Sequence, residues 1–372
     1  MPRLKLWTVL IFLLPAATAL AQEGDSELAT LLGAGDNDGF AKAIDPRQFT
    51  FPDDHGPHTN FRNEWWYVTG NLDGDDGRRF GYELTIFRFS LTPTDVEAES
   101  DWRTNQVYIA HFAITDVDGD RFLVSEKYSR GALGLAGATA TPFRVWIDDW
   151  EIRRVADLKW RLRAVDPAFS LNLVLDLSKP PVLNGDEGLS QKSDEPGNAS
   201  YYYSITRMQT DGELQINGDR YGVSGTSWLD REWSSSALAA DQRGWDWFAL
   251  QLSDKSEMMF YQLRKTDGSQ DANSAGTWID PQGQTTHLAR DDVQVEVTDS
   301  WDSPQGGTYP SGWRIRVPSR NLVFEVTPVM ADQELFTTVR YWEGAVDIIG
   351  QRDGVPIEGR GYVELTGYAE GQ

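Results

Sequence analysis

Alternation with a period of two most restricts what this chain can fold into. On an extended strand successive side chains point to opposite faces, so a regular two-residue repeat of apolar and other residues specifies β-structure and not helix. Such runs, rich in aromatic and β-branched residues, cover residues 64–72, 79–89, 106–116, 143–147, 169–177 and 201–210. They continue at 245–252, 258–263, 293–297, 313–317 and 322–327. Asp-Gly and Asn-Gly pairs that suit tight hairpin turns punctuate them, at Asp73-Gly74, Asp118-Gly119, Asp211-Gly212 and Asn217-Gly218. Sustained 3.6-residue periodicity is absent. The predicted fold class is all-β, with antiparallel barrels or sandwiches built from short, evenly spaced strands.

A chain of 372 residues exceeds one ordinary core and fits two. The halves repeat each other in order. Glu64-Trp65-Trp66-Tyr67-Val68 aligns with Trp245-Asp246-Trp247-Phe248-Ala249, and the run from Asp211-Gly212 to Trp228 aligns with that from Asp353-Gly354 to Tyr368. So long a period is no solenoid and reads as a duplicated barrel, residues 46–228 and then 229–372. Residues 178–200, rich in Pro, Gly, Asp and Ser, are long for a connection and form either a disordered insertion or a lid over a barrel mouth. Their small apolar content favours disorder.

Arg3 and Lys5 precede an apolar run broken by Pro15, and Ala19-Leu20-Ala21 offers small residues for cleavage. Residues 1–21 are therefore expected to be a cleavable secretory signal, too short for a spanning helix. An acidic leader follows at 22–45. The expected product is secreted or periplasmic and not an integral membrane protein. Loss of Arg3 and Lys5 takes the formal charge from −23 to −25, which argues against nucleic acid or an anionic membrane as partner. The chain has no cysteine, so disulfides, thiolate zinc, iron–sulfur clusters and cysteine nucleophiles are excluded. Nothing in the sequence calls for a cofactor.

Two constellations could carry chemistry. In the first, Asp54-His55-Gly56-Pro57-His58 leads into Glu64-Trp65-Trp66-Tyr67. Glu64 shares a strand face with Trp66, Val68 and Leu72; if that face lines a cavity, its pKa rises unless Arg62 or another cation pairs with it. A raised carboxylic acid suits protonation of an alkene or a leaving group. A structural ion pair closing the barrel end is the favoured alternative. His-x-x-His beside Asp and Glu could suit zinc, but the spacing is nonspecific. In the second, Trp228, Asp230 and Glu232 share a face while Arg231 and Trp233 point away. Two carboxylates at i and i+2 stand ~7 Å apart, a separation usable for acid–base work, though acids also alternate along solvated strands. His111 shares an apolar face with Ile109 and Ala113 and is expected to be a satisfied core histidine; His287 is expected to be exposed. No nucleophile elbow and no Gly-rich phosphate cradle occur.

These blocks, with Gly244-Trp245-Asp246-Trp247-Phe248, Tyr309-Pro310-Ser311-Gly312-Trp313, Tyr341-Trp342-Glu343-Gly344 and the close from Gly361 to Tyr368, resemble AttH-type proteins, relatives of the carotenoid 1,2-hydratases (hydroxyneurosporene synthases). The resemblance runs from about residue 46 to the end. It implies two tandem lipocalin-like barrels and apolar ligands, often polyene or isoprenoid; fungal pericyclase-type cyclases share the architecture. AttH members are often labelled predicted secreted hydrolases and are associated with ABC-transporter systems. The chain departs from the hydratases, which carry Tyr-x-Asp-His-Asn-Trp where it has Trp228-Leu229-Asp230-Arg231-Glu232-Trp233; only Asp230 and Trp233 carry over. Their His-x-Trp element, if it corresponds to Tyr201-Tyr202-Tyr203, is replaced by tyrosines.

The expected protein binds an apolar or amphipathic small molecule, with Trp66, Trp228, Tyr203, Trp245, Trp247 and His58 as candidate ligand contacts. Asp230 is the candidate acid, with Glu64 or Glu232 assisting in hydration, isomerisation or hydrolysis. A non-enzymatic carrier or accessory protein of an ABC transporter is the rival, and a glycoside-acting enzyme the weaker alternative.

Overall fold

The computed structural model of the chain describes residues 37–94, 100–236 and 238–369. The expected signal and most of the acidic leader lie outside the described residues. The first sheet holds β1 (Asn63–Gly74), β2 (Arg79–Ser90), β3 (Gln106–Asp116), β4 (Arg121–Arg130), β5 (Ala136–Ala140), β6 (Phe143–Ile147), β7 (Trp150–Ala156), β8 (Lys159–Val165) and β9 (Phe169–Asp176). It also holds β10 (Val182–Leu183), β11 (Leu189–Gln191), β12 (Ala199–Ile216) and β13 (Asp219–Ser234). Its order is β4-β3-β2-β1-β13-β12-β9-β8-β7-β6-β5, with β10 and β11 paired to β12. The sheet curls until β3 and β4 meet β5 and β6, which nearly closes a barrel.

The second sheet holds β14 (Gln242–Leu252), β15 (Glu257–Lys265), β16 (Ala275–Ile279), β17 (Thr285–Ala289), β18 (Gln294–Asp302) and β19 (Thr308–Val317). β20 (Leu322–Pro328), β21 (Glu334–Phe336), β22 (Arg340–Arg352) and β23 (Val355–Leu365) complete it, in the order β17-β16-β15-β14-β23-β22-β20-β19-β18 with β21 on β22. The chain is thus all-β, with two tandem lipocalin-like antiparallel barrels. Among the described residues no helix is long and apolar enough to cross a membrane.

β13 carries the first sheet through Ser234, so residues 229–234 complete the first barrel, and a boundary at 228 cuts a continuous strand. Residues 178–200 also differ from the disordered insertion expected. They hold β10 and β11, and polar contacts fix them to the second barrel: Lys179 Nζ donates to Glu257 at 2.6 Å, Thr277 donates to Asn184 Oδ1 at 2.8 Å, and the Ser190 and Tyr261 hydroxyls lie 2.9 Å apart. Low apolar content misled because hydrogen bonds supplement the few apolar side chains, Val182, Leu183 and Leu189, that dock the segment.

Several central strands are buried on both faces. Inside the first barrel lie Trp66, Val68, Tyr82, Leu84, Leu229 and Trp233; inside the second lie Phe248, Leu250, Trp313, Trp342 and Val363. The outer faces meet each other. Tyr67, Tyr202 and Trp228 pack with Trp247, Ala249, Met259 and Tyr362 in a third apolar cluster at the junction. Asn71 Nδ2 donates to Gly361 O at 2.9 Å, and Arg79 grips the Asp347 carboxylate at 2.6 and 2.7 Å. At Gly81 a Cβ would stand 2.7 Å from the Ala345 Cβ, so a residue without a side chain is what lets β2 and β22 approach this closely.

Candidate functional site

Glu64, the second residue of β1, lies on the inner face of the first barrel. Its carboxylate is fully buried, paired with Arg88 and Arg231, which are equally buried, and it accepts the His58 backbone N–H at 3.1 Å. Burial by itself would raise the Glu64 pKa, but the two guanidinium groups outweigh it and hold the carboxyl well below the usual carboxylate range. The cations are thus Arg88 and Arg231; Arg62 instead donates to Asn37 at 2.7 Å. Around this pair, His58 stacks on Trp233 with centroids 3.7 Å apart and reaches Asp54 at 2.9 Å. The Arg231 guanidinium lies 4.0 Å over the Trp66 ring, and the Tyr203 hydroxyl is 2.7 Å from His55 Nδ1. Glu64, His58, Trp66 and Tyr203 therefore sit together at one end of the first barrel, as an ionised plug and not as a protonated acid.

The cavity lies elsewhere, between the barrels. It is lined by the outer-face aromatics Trp65 and Tyr67 of β1, Phe87 of β2, Trp245 and Trp247 of β14, Tyr261 of β15 and Tyr341 of β22. Six polar side chains enter the same wall: Asp230, Glu232, Glu343, Glu364, His111 and Lys192. A mostly apolar hollow with a few converging polar groups at a domain junction is the common form of a small-molecule site.

Asp230 is held from three directions. Its Oδ1 accepts from Ser204 at 2.5 Å and from the Trp228 indole at 2.6 Å, and its Oδ2 accepts from the Tyr202 hydroxyl. Tyr202 in turn accepts from the Trp247 indole at 3.1 Å. Burial pushes the Asp230 carboxyl up to about 7 despite those donors, with nearby Glu232 adding to the rise. Two residues along, Glu232 meets Lys192 Nζ at 3.3 Å and accepts from the Ser200 hydroxyl. Burial also lifts Glu364, to about 8, although the Trp245 indole bonds to it. Glu343 stands directly opposite Glu364 on the paired strand and is raised well above the carboxylate range by burial and by Glu364 and Glu83. Near neutral pH the cavity thus holds carboxyl groups poised to give or take a proton.

Of the residues proposed from the sequence, Asp230, Glu232, Trp245 and Trp247 line this cavity. Trp228 stands behind Asp230, orienting it, and meets Trp247 edge to face at 6.4 Å. Sequence reasoning passed over Trp65, Tyr67, Lys192, Glu343 and Glu364. For Trp65 and Tyr67 the signal was present, since they form the other face of the same strand. His111 is buried as expected, yet it reaches the cavity: its Nδ1 lies 2.6 Å from the Tyr341 hydroxyl and its Nε2 3.0 Å from Glu126.

Comparisons with known proteins agree with this architecture. A crystal structure of a Nitrosomonas europaea protein provisionally assigned as AttH is similar over 89% of this chain and 100% of its own, at 35% identity and a TM-score of 0.80. Kievitone hydratase from Nectria haematococca is similar in fold over 91% of this chain and 98% of its own, at 16% identity and a TM-score of 0.66. CghA shares the fold more distantly, at 13% identity and a TM-score of 0.51, over 91% of this chain and 98% of its own. No functionally curated protein matches the sequence. The AttH-like family model matches residues 42–368, nearly the whole described structure, and the chain belongs to the AttH-like family.

Proposed function

We propose that the cavity between the barrels binds an apolar or amphipathic small molecule, lipid, isoprenoid or polyene in kind, and that Asp230 protonates it in a hydration or hydrolysis. The observation that carries this reading is the Asp230 carboxyl, raised to about 7 by burial in a wall otherwise built of tryptophan and tyrosine. Such a group keeps a proton near neutral pH and gives it up readily, as a general acid must. In a hydration the Asp230 proton forms the new C–H bond at one alkene carbon. Positive charge then develops on the other carbon, facing aromatic rings and carboxylates that favour it. A water adds there, and its proton passes to Glu232, two residues along the same strand face. Return of that proton to Asp230 closes the cycle. Kievitone hydratase is a hydratase by name on a similar fold, which supports the class of chemistry and not the substrate.

Cleavage of the expected signal would put this chemistry outside the cytoplasm, and the transporter association of AttH-type proteins suggests where a ligand would be handed on. The test is native mass spectrometry of the purified protein, with chemical identification of what it carries, followed by incubation of that compound with the wild type and Asp230→Asn. Conversion by the wild type and none by a variant that still binds supports the enzyme. A ligand returned unchanged by both makes the protein a carrier and refutes the catalytic role of Asp230.

A further inference from the structure

The cavity already holds one ammonium group. Lys192 is carried inward by the segment between β11 and β12; it is buried, 3.3 Å from Glu232, with its Nζ 4.2 Å from the Tyr261 ring centre and 5.2 Å from that of Tyr202. A carboxylate together with aromatic faces favours an organic cation where water is excluded. Carboxyl groups and aromatic rings recur on the wall formed by β22 and β23, without a cation, and a cation entering there would favour release of the carboxyl proton. Glu343 is fully buried; its Oε2 accepts from the Tyr67 hydroxyl at 2.7 Å, while its Oε1 has no hydrogen-bond partner. Glu364 faces it across the strand pair, and Glu83 is buried close behind. Among the described residues no Lys, Arg or His forms an ion pair with any of these three glutamates, although ion pairs are plentiful elsewhere, Lys192 with Glu232 included.

A bare, buried carboxyl oxygen is destabilising, a penalty that a bound partner can remove. A metal ion is a poor candidate, because among the described residues no three His, Asp or Glu side chains converge to hold one. Carboxyls spread along a wall of aromatic rings suit a diffuse organic charge instead. Building on the reading of this cavity as the ligand site, we propose that its ligand is an amphipathic organic cation. An amine or quaternary ammonium head would sit against Glu343 and Glu364, and the apolar body would lie along Trp65, Trp245 and Trp247.

The experiment compares two probes by quenching of tryptophan fluorescence in the full chain: hexyltrimethylammonium, and its uncharged isostere in which carbon replaces the nitrogen. The expected result is roughly tenfold tighter binding of the cation, the ratio that corresponds to a cation–π and charge advantage of ~1.4 kcal/mol. In a Glu343→Gln, Glu364→Gln variant shown by thermal unfolding to be folded, that ratio should fall to about one, by the same reasoning. Should the double variant fail to fold, the wild-type ratio alone decides. Equal binding of the two probes, tighter binding of the isostere, or a ratio unmoved in the folded variant overturns the cationic ligand while the cavity stands as the site. Binding of neither probe overturns both.

Discussion

Asp230→Asn should change how stability depends on pH, by an amount the structure sets. The carboxyl titrates from 3.8 in an open chain to about 7 in the folded protein. Between those values the folded state holds a proton that the unfolded chain has released, so unfolding free energy falls as pH rises, by ~1.4 kcal/mol per pH unit. The stabilising contribution is fully present below the unfolded pKa and is lost as pH rises through about 7. Over that window it amounts to ~4 kcal/mol. Asparagine does not titrate, and whatever it gains or loses against Tyr202, Ser204 and Trp228 is a constant offset. Glu64 is lowered alike in both proteins and cancels in the difference, while Glu364, raised chiefly by burial and least by Asp230, nearly cancels. Denaturant unfolding of the wild type and the variant at about pH 4, 6 and 8 should show the variant gaining ~4 kcal/mol relative to the wild type across the series. A difference that stays flat with pH refutes both the raised carboxyl and the general-acid reading built on it.

Two further perturbations separate the plug from the cavity and the barrels from each other. Glu64→Gln leaves Arg88 and Arg231 buried without their anion and should cost about 3–5 kcal/mol in thermal or denaturant unfolding at neutral pH, while apolar ligands still quench fluorescence in the folded protein; lost binding at unchanged stability would place Glu64 in the ligand site. Gly81→Val forces a side chain into a 2.7 Å approach to Ala345 and should cost about 1–3 kcal/mol, with small-angle scattering showing the barrels moved apart; an unchanged profile and stability would mean that the interface yields there freely.

Much of the fold was legible because period-two alternation and Gly-containing turns are local signals, and the barrel repeat follows from them. The site was half legible. On β13 the sequence set Asp230 and Glu232 on one face with Trp228, and the structure turns that face to the cavity. On β1 the same logic gave the two faces correctly and offered no means of choosing between them. Trp65-Trp66-Tyr67 is aromatic on both sides because both sides are buried, one within its own barrel and one against the other. The face carrying Glu64 and Trp66 took the first barrel's interior, where Arg88 and Arg231, distant in sequence, neutralise the acid. Lys192, Glu343 and Tyr341 reach the cavity from strands and connections whose meeting depends on how two barrels dock, and no short-range pattern encodes that.

The register of the two sheets relates the acids of the cavity to each other. β1 lies between β2 and β13 as β14 lies between β15 and β23, so the two barrels present equivalent strands to the shared cavity. The sequence alignment set Trp66 against Trp247, but the faces show it to be out by one residue, since Tyr67 and Trp247 both point to the junction. With that shift, Tyr67 pairs across to Asp230 and Trp247 pairs across to Glu364. The two carboxyls raised toward neutrality, at about 7 and about 8, thus each stand across from a junction-facing aromatic of the neighbouring strand, one in each barrel. One acid from each barrel lines the same hollow, in different surroundings. Asp230 has hydroxyl and indole donors, from Tyr202, Ser204 and Trp228, whereas Glu364 faces another glutamate, Glu343, across its strand pair. An aspartate fixed by three donors is suited to delivering a proton along a defined direction. A glutamate opposite a second carboxyl, with a bare oxygen beside it, is suited to receiving positive charge from whatever enters.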